Sequence, residues 1–243
     1  MTEVSGVSTA MVAVGDGLHA RILLEALLAA GLAPRLLINE VATKRATRLS
    51  GWLRNSIDWP PSIADLTKDT PTLTMTVDKF DGEVALCEIE KIMPDYLIMG
   101  GGGILKEPML KAATKGFLNA HPGLLPEHRG LDPVLWSVLK GDPVGATLHL
   151  MDSGIDTGPV LIRRELPWRG ASSLLELRLQ CMRHGAALMA EFLRSPESYP
   201  LIVQEEVRAH YDGEFPNGAL AQAEARLPAY TVTPEGGNRC VAN

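Results

Sequence analysis

Two short polar clusters in an otherwise apolar chain carry side chains able to do chemistry. The first is Asn119-Ala120-His121-Pro122-Gly123-Leu124-Leu125-Pro126, followed by Arg129-Gly130, and its two prolines stiffen it. The second is His149-Leu150-Met151-Asp152-Ser153-Gly154-Ile155-Asp156-Thr157-Gly158-Pro159, an acidic turn rich in glycine. If Gly116 to His121 forms a strand, Asn119 and His121 are two residues apart and share one face of the sheet at its carboxyl end. A hairpin that folds the second cluster back to the same edge sets a carboxylate beside the ring, where it raises the imidazole pKa and fixes its orientation. Asn, His and Asp so placed suit acyl transfer without a covalent enzyme intermediate. Amide and imidazolium donors stabilise an oxyanion, and the carboxylate manages protons. The chain has no serine elbow to act as nucleophile. Its three cysteines, Cys87, Cys181 and Cys240, lack the short spacing of a zinc knuckle or redox dithiol and read as reduced thiols.

Other polar residues have plainer readings. His19, His128, His184 and His210 read as surface or helix histidines, and His121 with His128 lacks the spacing and third partner of a zinc site, so no metal is expected. His149 alternates with Leu148 and Leu150 and reads as structural packing. Two roles stand open for Asp152, contact with a cofactor or capping of its own turn. Two also stand open for Arg129, contact with a substrate or a salt bridge bracing the Pro126 loop.

The elements that must position these residues follow a βα alternation. Met11 to Val14 is a short apolar run closed by Gly15-Asp16-Gly17; Ala20 to Ala30 has Ile22, Leu23, Leu24, Leu27 and Leu28 at helical spacing, Gly31 stops it, and Leu36 to Ile38 follows as a second buried strand. Strand, glycine turn, helix and strand in that order make a parallel βαβ unit. Val41 to Ser62 reads as a loop with a helical turn. Strands are expected at Leu73 to Val77, Tyr96 to Met99, Gly116 to His121, Ala146 to Met151 and Val160 to Glu165, the last two as an antiparallel hairpin. Helices are expected at Glu83 to Ile92 and Val134 to Lys140, with a long one from about Ser172, an N-cap with Glu176 near the third helical position, to Leu193. Its stripe of Leu174, Leu177, Met182 and Met189 reads as core. Gly100 to Gly103 end a strand and fit either a place where backbone comes close to a ligand at the carboxyl edge of a parallel sheet or a plain flexible loop. The fold class expected is α/β: a Rossmann-like, mostly parallel twisted sheet flanked by helices. The domain spans residues 9–200, and 201–243 form a C-terminal appendage and frayed tail.

Composition bounds the function classes. The 243 residues are 46% hydrophobic and 21% charged, enough apolar content for one generous domain with a real core. Lys plus Arg number 23 against 29 Asp plus Glu, a net charge of -6 that does not favour nucleic acid as a partner. No window approaches a membrane-spanning run and the N-terminus does not read as a signal peptide, so a cytoplasmic location without membrane contact is expected.

Asn119-x-His121, the run Leu124-Leu125-Pro126-x-x-Arg129-Gly130, and Met151-Asp152-x-Gly154-x-Asp156-Thr157-Gly158 together resemble the folate-dependent formyltransferase family. The strong part of the resemblance covers residues 95–165, and the N-terminal βαβ agrees more loosely. The resemblance implies that a formyl group moves from the co-substrate 10-formyltetrahydrofolate to an amine. It implies that Asn119, His121 and Asp156 are the catalytic trio. Asn119 and His121 would hold the formyl oxygen as an oxyanion forms, while Asp156 keeps His121 protonated and helps to deprotonate the amine. Backbone around Met99, Gly102, Ile104 and Leu105, with the loop through Leu150, Asp152 and Ile155, would grip the pterin. A homodimer through C-terminal elements is also implied.

The acceptor separates the family's members. A methionyl-tRNA formyltransferase would be expected to add a C-terminal RNA-binding domain and a basic face. A glycinamide ribonucleotide enzyme would carry a Ser/Asn-rich phosphate loop where this chain has Gly15-Asp16-Gly17-Leu18-His19, and an acid beside a phosphate is unfavourable. Resemblance favours a nucleotide-linked 4-amino sugar, dTDP- or GDP-linked, as the small-molecule acceptor. Gly15, Gly17, His19, Arg45 and Arg129 are the positions assigned to it, with Lys44, Arg48 and Arg54 as further cations for a pyrophosphate. An amine from another natural-product pathway is the alternative. Gly15-x-Gly17-x-x-Ala20 with Glu40 also fits a dinucleotide-binding fingerprint, which would make the chain a dehydrogenase. That reading leaves Asn119, His121 and Asp156 unexplained. A non-catalytic binding domain of the same fold is a further reading, which an intact trio disfavours.

Overall fold

The computed structural model describes residues 6–41, 58–101, 105–166 and 171–227. Its centre is a seven-stranded sheet in the order β3-β2-β1-β4-β5-β7-β8. The strands are β1 (Thr9–Val14), β2 (Leu36–Glu40), β3 (Leu73–Val77), β4 (Tyr96–Met99), β5 (Gly116–His121), β7 (Gly145–Leu150) and β8 (Val160–Glu165). β1 to β5 pair in parallel, and β7 and β8 add antiparallel strands at one side. β6 (Arg129–Gly130) pairs in parallel with β9 (Tyr211–Asp212) in a separate two-stranded ladder.

The central strands read as unbroken apolar runs because both faces of the sheet are covered. On one face Met11, Ala13, Leu37, Ile98, Leu118 and Ala120 pack with residues of α1 (Leu18–Ala29) and the long α6 (Leu174–Arg194). On the other, Val12, Ile38, Leu97 and Phe117 pack with Ala85 and Ile89 of α3 (Glu83–Ile92) and Met109 of α4 (Glu107–Leu110). Leu23, Leu27, Ile89 and Phe192 lose all or nearly all solvent contact. Each contributes about 1.5–3 kcal/mol of transfer free energy. The helix α6 begins one residue later than the sequence suggests. Ser173 is the N-cap, its hydroxyl accepting from the Glu176 N–H, while Ser172 donates through its own N–H and hydroxyl to the Glu176 carboxylate.

Three features depart from the sequence reading. A short helix, α2 (Ile63–Thr67), stands just after the region read as loop, capped by Ser62. The ladder of β6 and β9 is too short for periodicity to reveal. The segment after Leu201, expected as an appendage, runs back over the domain. Phe215, Ala223 and Leu227 are buried with Val134, Leu135 and Val138 of α5 (Pro133–Lys140) and Leu177 of α6. Residues 220–226 form a further helix, α7 (Leu220–Arg226). Cys181 lies in this third core, and burial pushes its thiol up to about 12, which keeps it unreactive. Among the described residues no helix is long and apolar enough to cross a membrane.

Candidate active site

The site is built at the carboxyl end of β5. Met99 of β4 lies opposite Asn119 of β5, and Asn119 lies opposite His149 of β7. Residues paired across strands share a face, so Met99, Asn119 and His149 form one row, with His121 and Thr147 in the next. Leu118 and Ala120 point the other way, into the core beside α6. A register irregularity at Leu148/His149, where β7 meets β8, sets His149 opposite Val160.

The imidazole of His121 is almost wholly buried, and its Nε2 lies 2.7 Å from the carbonyl oxygen of His128. That oxygen can only accept, so Nε2 carries the proton and Nδ1 faces the site. Gly123 leaves room for the ring: a Cβ there would stand 2.6 Å from Cβ of Pro133 and 2.9 Å from Nε2 of His121. Thr147 ties the same turn to β7, accepting from the Leu125 N–H at 3.1 Å and donating to the Gly123 carbonyl at 2.7 Å.

Asp156 arrives on the loop between β7 and β8, with a left-handed φ of 53°. Its Oδ2 accepts from the Gly130 N–H at 2.9 Å and lies 3.6 Å from His121 Nδ1. Its Oδ1 lies 3.4 Å from Nδ2 of Asn119 and 3.6 Å from Nε2 of His149. The Asn119 nitrogen is also 3.1 Å from His149 Nε2, while Nδ1 of His149 is 2.9 Å from the Leu150 carbonyl oxygen. One consistent arrangement follows. His149 Nδ1–H donates to Leu150, and the Asn119 amide donates both to His149 Nε2 and to Asp156.

The electrostatics set the protonation states. Burial pushes the Asp156 carboxyl upward, but His121, His149 and the Gly130 N–H together outweigh it and hold the carboxyl far below the usual carboxylate range. Burial dominates at His121 and lowers its pKa, although Asp156 works in the opposite direction. Asp156 thus favours the protonated ring, as expected, and burial works against it. Both directions favour an ionised Asp156 beside an unprotonated imidazole in the ligand-free protein. The arrangement offers an N–H donor at Asn119, a proton acceptor at His121 Nδ1 and a charge that stabilises whatever imidazolium forms.

The profile described as "Formyl transferase" matches residues 66–190, over half of the chain and spanning all of these groups. The chain belongs to the formyl transferase family. A methionyl-tRNA formyltransferase of Rhizorhabdus wittichii is 37% identical over 142 residues, which is 55% of this chain and 46% of that protein. The chain thus spans about half the length of the curated relatives it matches. The N-formyltransferase of Helicobacter canadensis, solved with folinic acid and dTDP-3-aminofucose, superposes with a TM-score of 0.59 at 15% identity, covering 86% of this chain and 71% of that one. Glycinamide ribonucleotide transformylase 1 of Symbiobacterium toebii superposes with a TM-score of 0.57 at 17% identity, over 82% of this chain and 94% of that one. These two likenesses establish the fold.

The other expected site residues fall in different places. Met99 and Leu105 are buried against the α3/α4 core, Leu150 is half-buried at the end of β7, and Ile155 stands exposed on the loop. Gly102, Ile104 and the cations Lys44, Arg45, Arg48 and Arg54 lie outside the described residues. Asp152 caps its own turn, its Oδ1 accepting from the Gly154 N–H and the Thr157 hydroxyl. Gly15 adopts φ 62° and its N–H donates to the Glu40 carbonyl at 2.8 Å, Gly17 is the N-cap of α1, and His19 sits in the first turn of that helix. His19 is half-buried there, and burial, with the nearby His121 as the smaller cause, lowers its pKa to about 4.

Several readings of the sequence are corrected. Asp16 does not present a bare charge at the first turn: it pairs with Arg21 and accepts from the Ile63 N–H at the start of α2. The unfavourable meeting of acid and phosphate therefore loses its force. The Glu40 carboxylate is engaged within the fold, accepting from the Phe80 N–H at 3.0 Å. Arg129 braces the chain: its side chain is fully buried, with hydrogen bonds to Gln204, Glu206 and Tyr211. His128 is no surface residue, because Nδ1 lies 2.9 Å from Asp212 Oδ2 and Nε2 lies 3.1 Å from Asp142 Oδ2. His149, read as packing, contacts two members of the trio. Strand alternation alone could not place it, since only the register of β5 against β7 shows which residue faces Asn119. Thr147 and Gln204 gave no motif signal at all. Among the described residues no group of three or more His, Cys, Asp or Glu is arranged to hold a metal ion.

Proposed function

We propose that this chain transfers the formyl group of 10-formyltetrahydrofolate to the free amine of a nucleotide-linked 4-amino sugar. The observation that carries the reading is the convergence of Asn119 Nδ2, His121 Nδ1 and the Asp156 carboxylate at one sheet edge. This donor set fits the folate: its formyl oxygen calls for an N–H donor, and the incoming amine calls for a base. The bound folate would supply an activated one-carbon group. Backbone at Met99 to Leu105 and the loop from Leu150 to Asp156 would hold it.

The rest is done by the chain's own groups. Asn119 turns an N–H toward the oxygen on which negative charge develops. His121 Nδ1 takes the proton that the amine gives up as the new C–N bond forms and would return it to N10 of the folate as the formyl C–N10 bond breaks and tetrahydrofolate leaves, while its Nε2–H stays on the His128 carbonyl and fixes the ring plane. Asp156 stabilises the resulting imidazolium from 3.6 Å and so returns part of what burial costs that charge. Removing an N–H donor of this kind lowers the rate by about a hundredfold or more.

Support for a small acceptor comes from the net charge of -6 and from the motifs shared with nucleotide-sugar enzymes. The curated relatives named as methionyl-tRNA formyltransferases make charged methionyl-tRNA a second reading. The neutralised Asp16 keeps glycinamide ribonucleotide in the comparison. The test is release of tetrahydrofolate, followed by absorbance, with 10-formyltetrahydrofolate and dTDP- or GDP-linked 4-amino sugars, glycinamide ribonucleotide or methionyl-tRNA, each beside Asn119→Ala. Turnover with a sugar nucleotide alone, lost in the variant, is expected. Turnover with methionyl-tRNA alone replaces the acceptor, and absence of folate binding removes the reading.

A further inference from the structure

Gln204 lies outside both polar clusters of the sequence, on the segment that crosses the domain after Leu201. Its amide is buried and fully used: Nε2 donates to the carbonyl oxygens of Asp156 at 2.9 Å and Gly158 at 2.7 Å, and Oε1 accepts from Nε and Nη2 of Arg129 at 3.0 and 2.9 Å. Arg129 precedes Gly130 in β6, and the Gly130 N–H holds Oδ2 of Asp156. The contacts therefore close a ring. The carboxylate of Asp156 is held directly by one residue of β6, and its carbonyl is held through Gln204 by the residue before it.

Asp156 needs such a clamp. At φ 53° it occupies a left-handed region that costs a non-glycine residue free energy and persists only where its surroundings over-determine it. Gly158, two residues on, packs so close to the Leu150 carbonyl that no Cβ fits, which confines the loop from the other side. A loop released at the Asp156 carbonyl would relax toward negative φ and swing the carboxylate away from Asn119 and His121.

We propose that Gln204 is a positioning residue that holds Asp156 in its left-handed conformation, so that both carboxylate oxygens face the site. The proposal rests on the reading of Asp156 as part of a formyl-transfer site. Gln204→Met removes all four hydrogen bonds at similar volume. Gln204→Glu keeps an acceptor for Arg129, and thus the docking of the segment, but loses both donations to the loop. Glu206→Gln is the control, because it weakens the other contact to Arg129 without touching Asp156.

Each protein is compared in two ways. In steady-state turnover, both Gln204 variants are expected to lose about a hundredfold in kcat with KM for the folate within about threefold. Glu206→Gln keeps kcat within about threefold of wild type. In the ligand-free protein, the histidine ring signals in the NMR spectrum, with His121 assigned by loss of its signal in His121→Gln, report the position of Asp156 without any folate chemistry. The His121 titration midpoint is expected to fall in Gln204→Met, since the carboxylate that raises it has moved, and to stay in place in Glu206→Gln. A His121 midpoint unchanged in Gln204→Met, or equal losses of kcat in the Gln204 and Glu206 variants, overturns the proposal. A shifted midpoint in a protein that forms no product with any amine leaves the clamp standing and removes the formyl-transfer reading instead.

Discussion

The two halves of the site are held by different forces. Asn119, His121 and His149 stand on adjacent strands whose backs are packed against α6, so their positions follow from register and from buried apolar contacts. Asp156 stands on a loop whose position follows from hydrogen bonds to β6 and to Gln204, 48 residues further along the chain. The sheet half is cheap to specify locally. The loop half needs partners that meet only once the chain is folded, and each of its buried polar groups becomes costly when a partner is lost.

Substitutions separate the two halves. On the sheet side, His121→Ala removes both the proposed proton acceptor and the ring that fills the space beside Gly123. We expect kcat/KM to drop by about a thousandfold or more with the folate still bound, as read by steady-state kinetics and calorimetric titration. Beneath it, Leu118→Ala opens a cavity under the sheet and is expected to cost about 2–5 kcal/mol in urea unfolding. On the loop side, Arg129→Met leaves Gln204 and Glu206 without their shared cation. A smaller loss of about 1–3 kcal/mol is expected, together with a fall in kcat that Leu118→Ala does not show.

A still smaller effect concerns pH. The folded state depresses the His19 pKa from an unfolded value of 6.5 to about 4, so the folded protein prefers the neutral ring. This group's contribution is fully present above 6.5 and is lost as pH falls from there toward 4. Urea unfolding at stepped pH should show a decline over that window, on the order of 1 kcal/mol, that His19→Gln flattens. Val207 is almost fully exposed on the crossing segment, and Val207→Ser should stay within about 0.5 kcal/mol of wild type.

The same division explains what could be read in the sequence. Strands β1, β2, β4, β5, β7 and β8 were legible because unbroken or alternating apolar runs mark a doubly covered sheet, and Asn119 with His121 was legible because two residues of separation on one strand fix a shared face. His149 was misread because its facing residue depends on register across 30 positions. Gln204 and the pairing of His128 with Asp212 left no trace, since a glutamine or an aspartate in a polar stretch looks like solvent-exposed chain until packing brings it to a partner. Asp16 misled for a related reason: its charge was visible, but its neutralisation by Arg21 was not.

The most direct test of the account is a single-turnover measurement of formyl transfer with Asp156→Asn, at saturating 10-formyltetrahydrofolate and the acceptor that wild type uses, set beside folate affinity. The account predicts folate affinity within about threefold of wild type and a transfer rate lower by about a hundredfold or more, because the imidazolium of His121 loses the charge that stabilises it. A variant that binds folate and transfers the formyl group at the wild-type rate would contradict it.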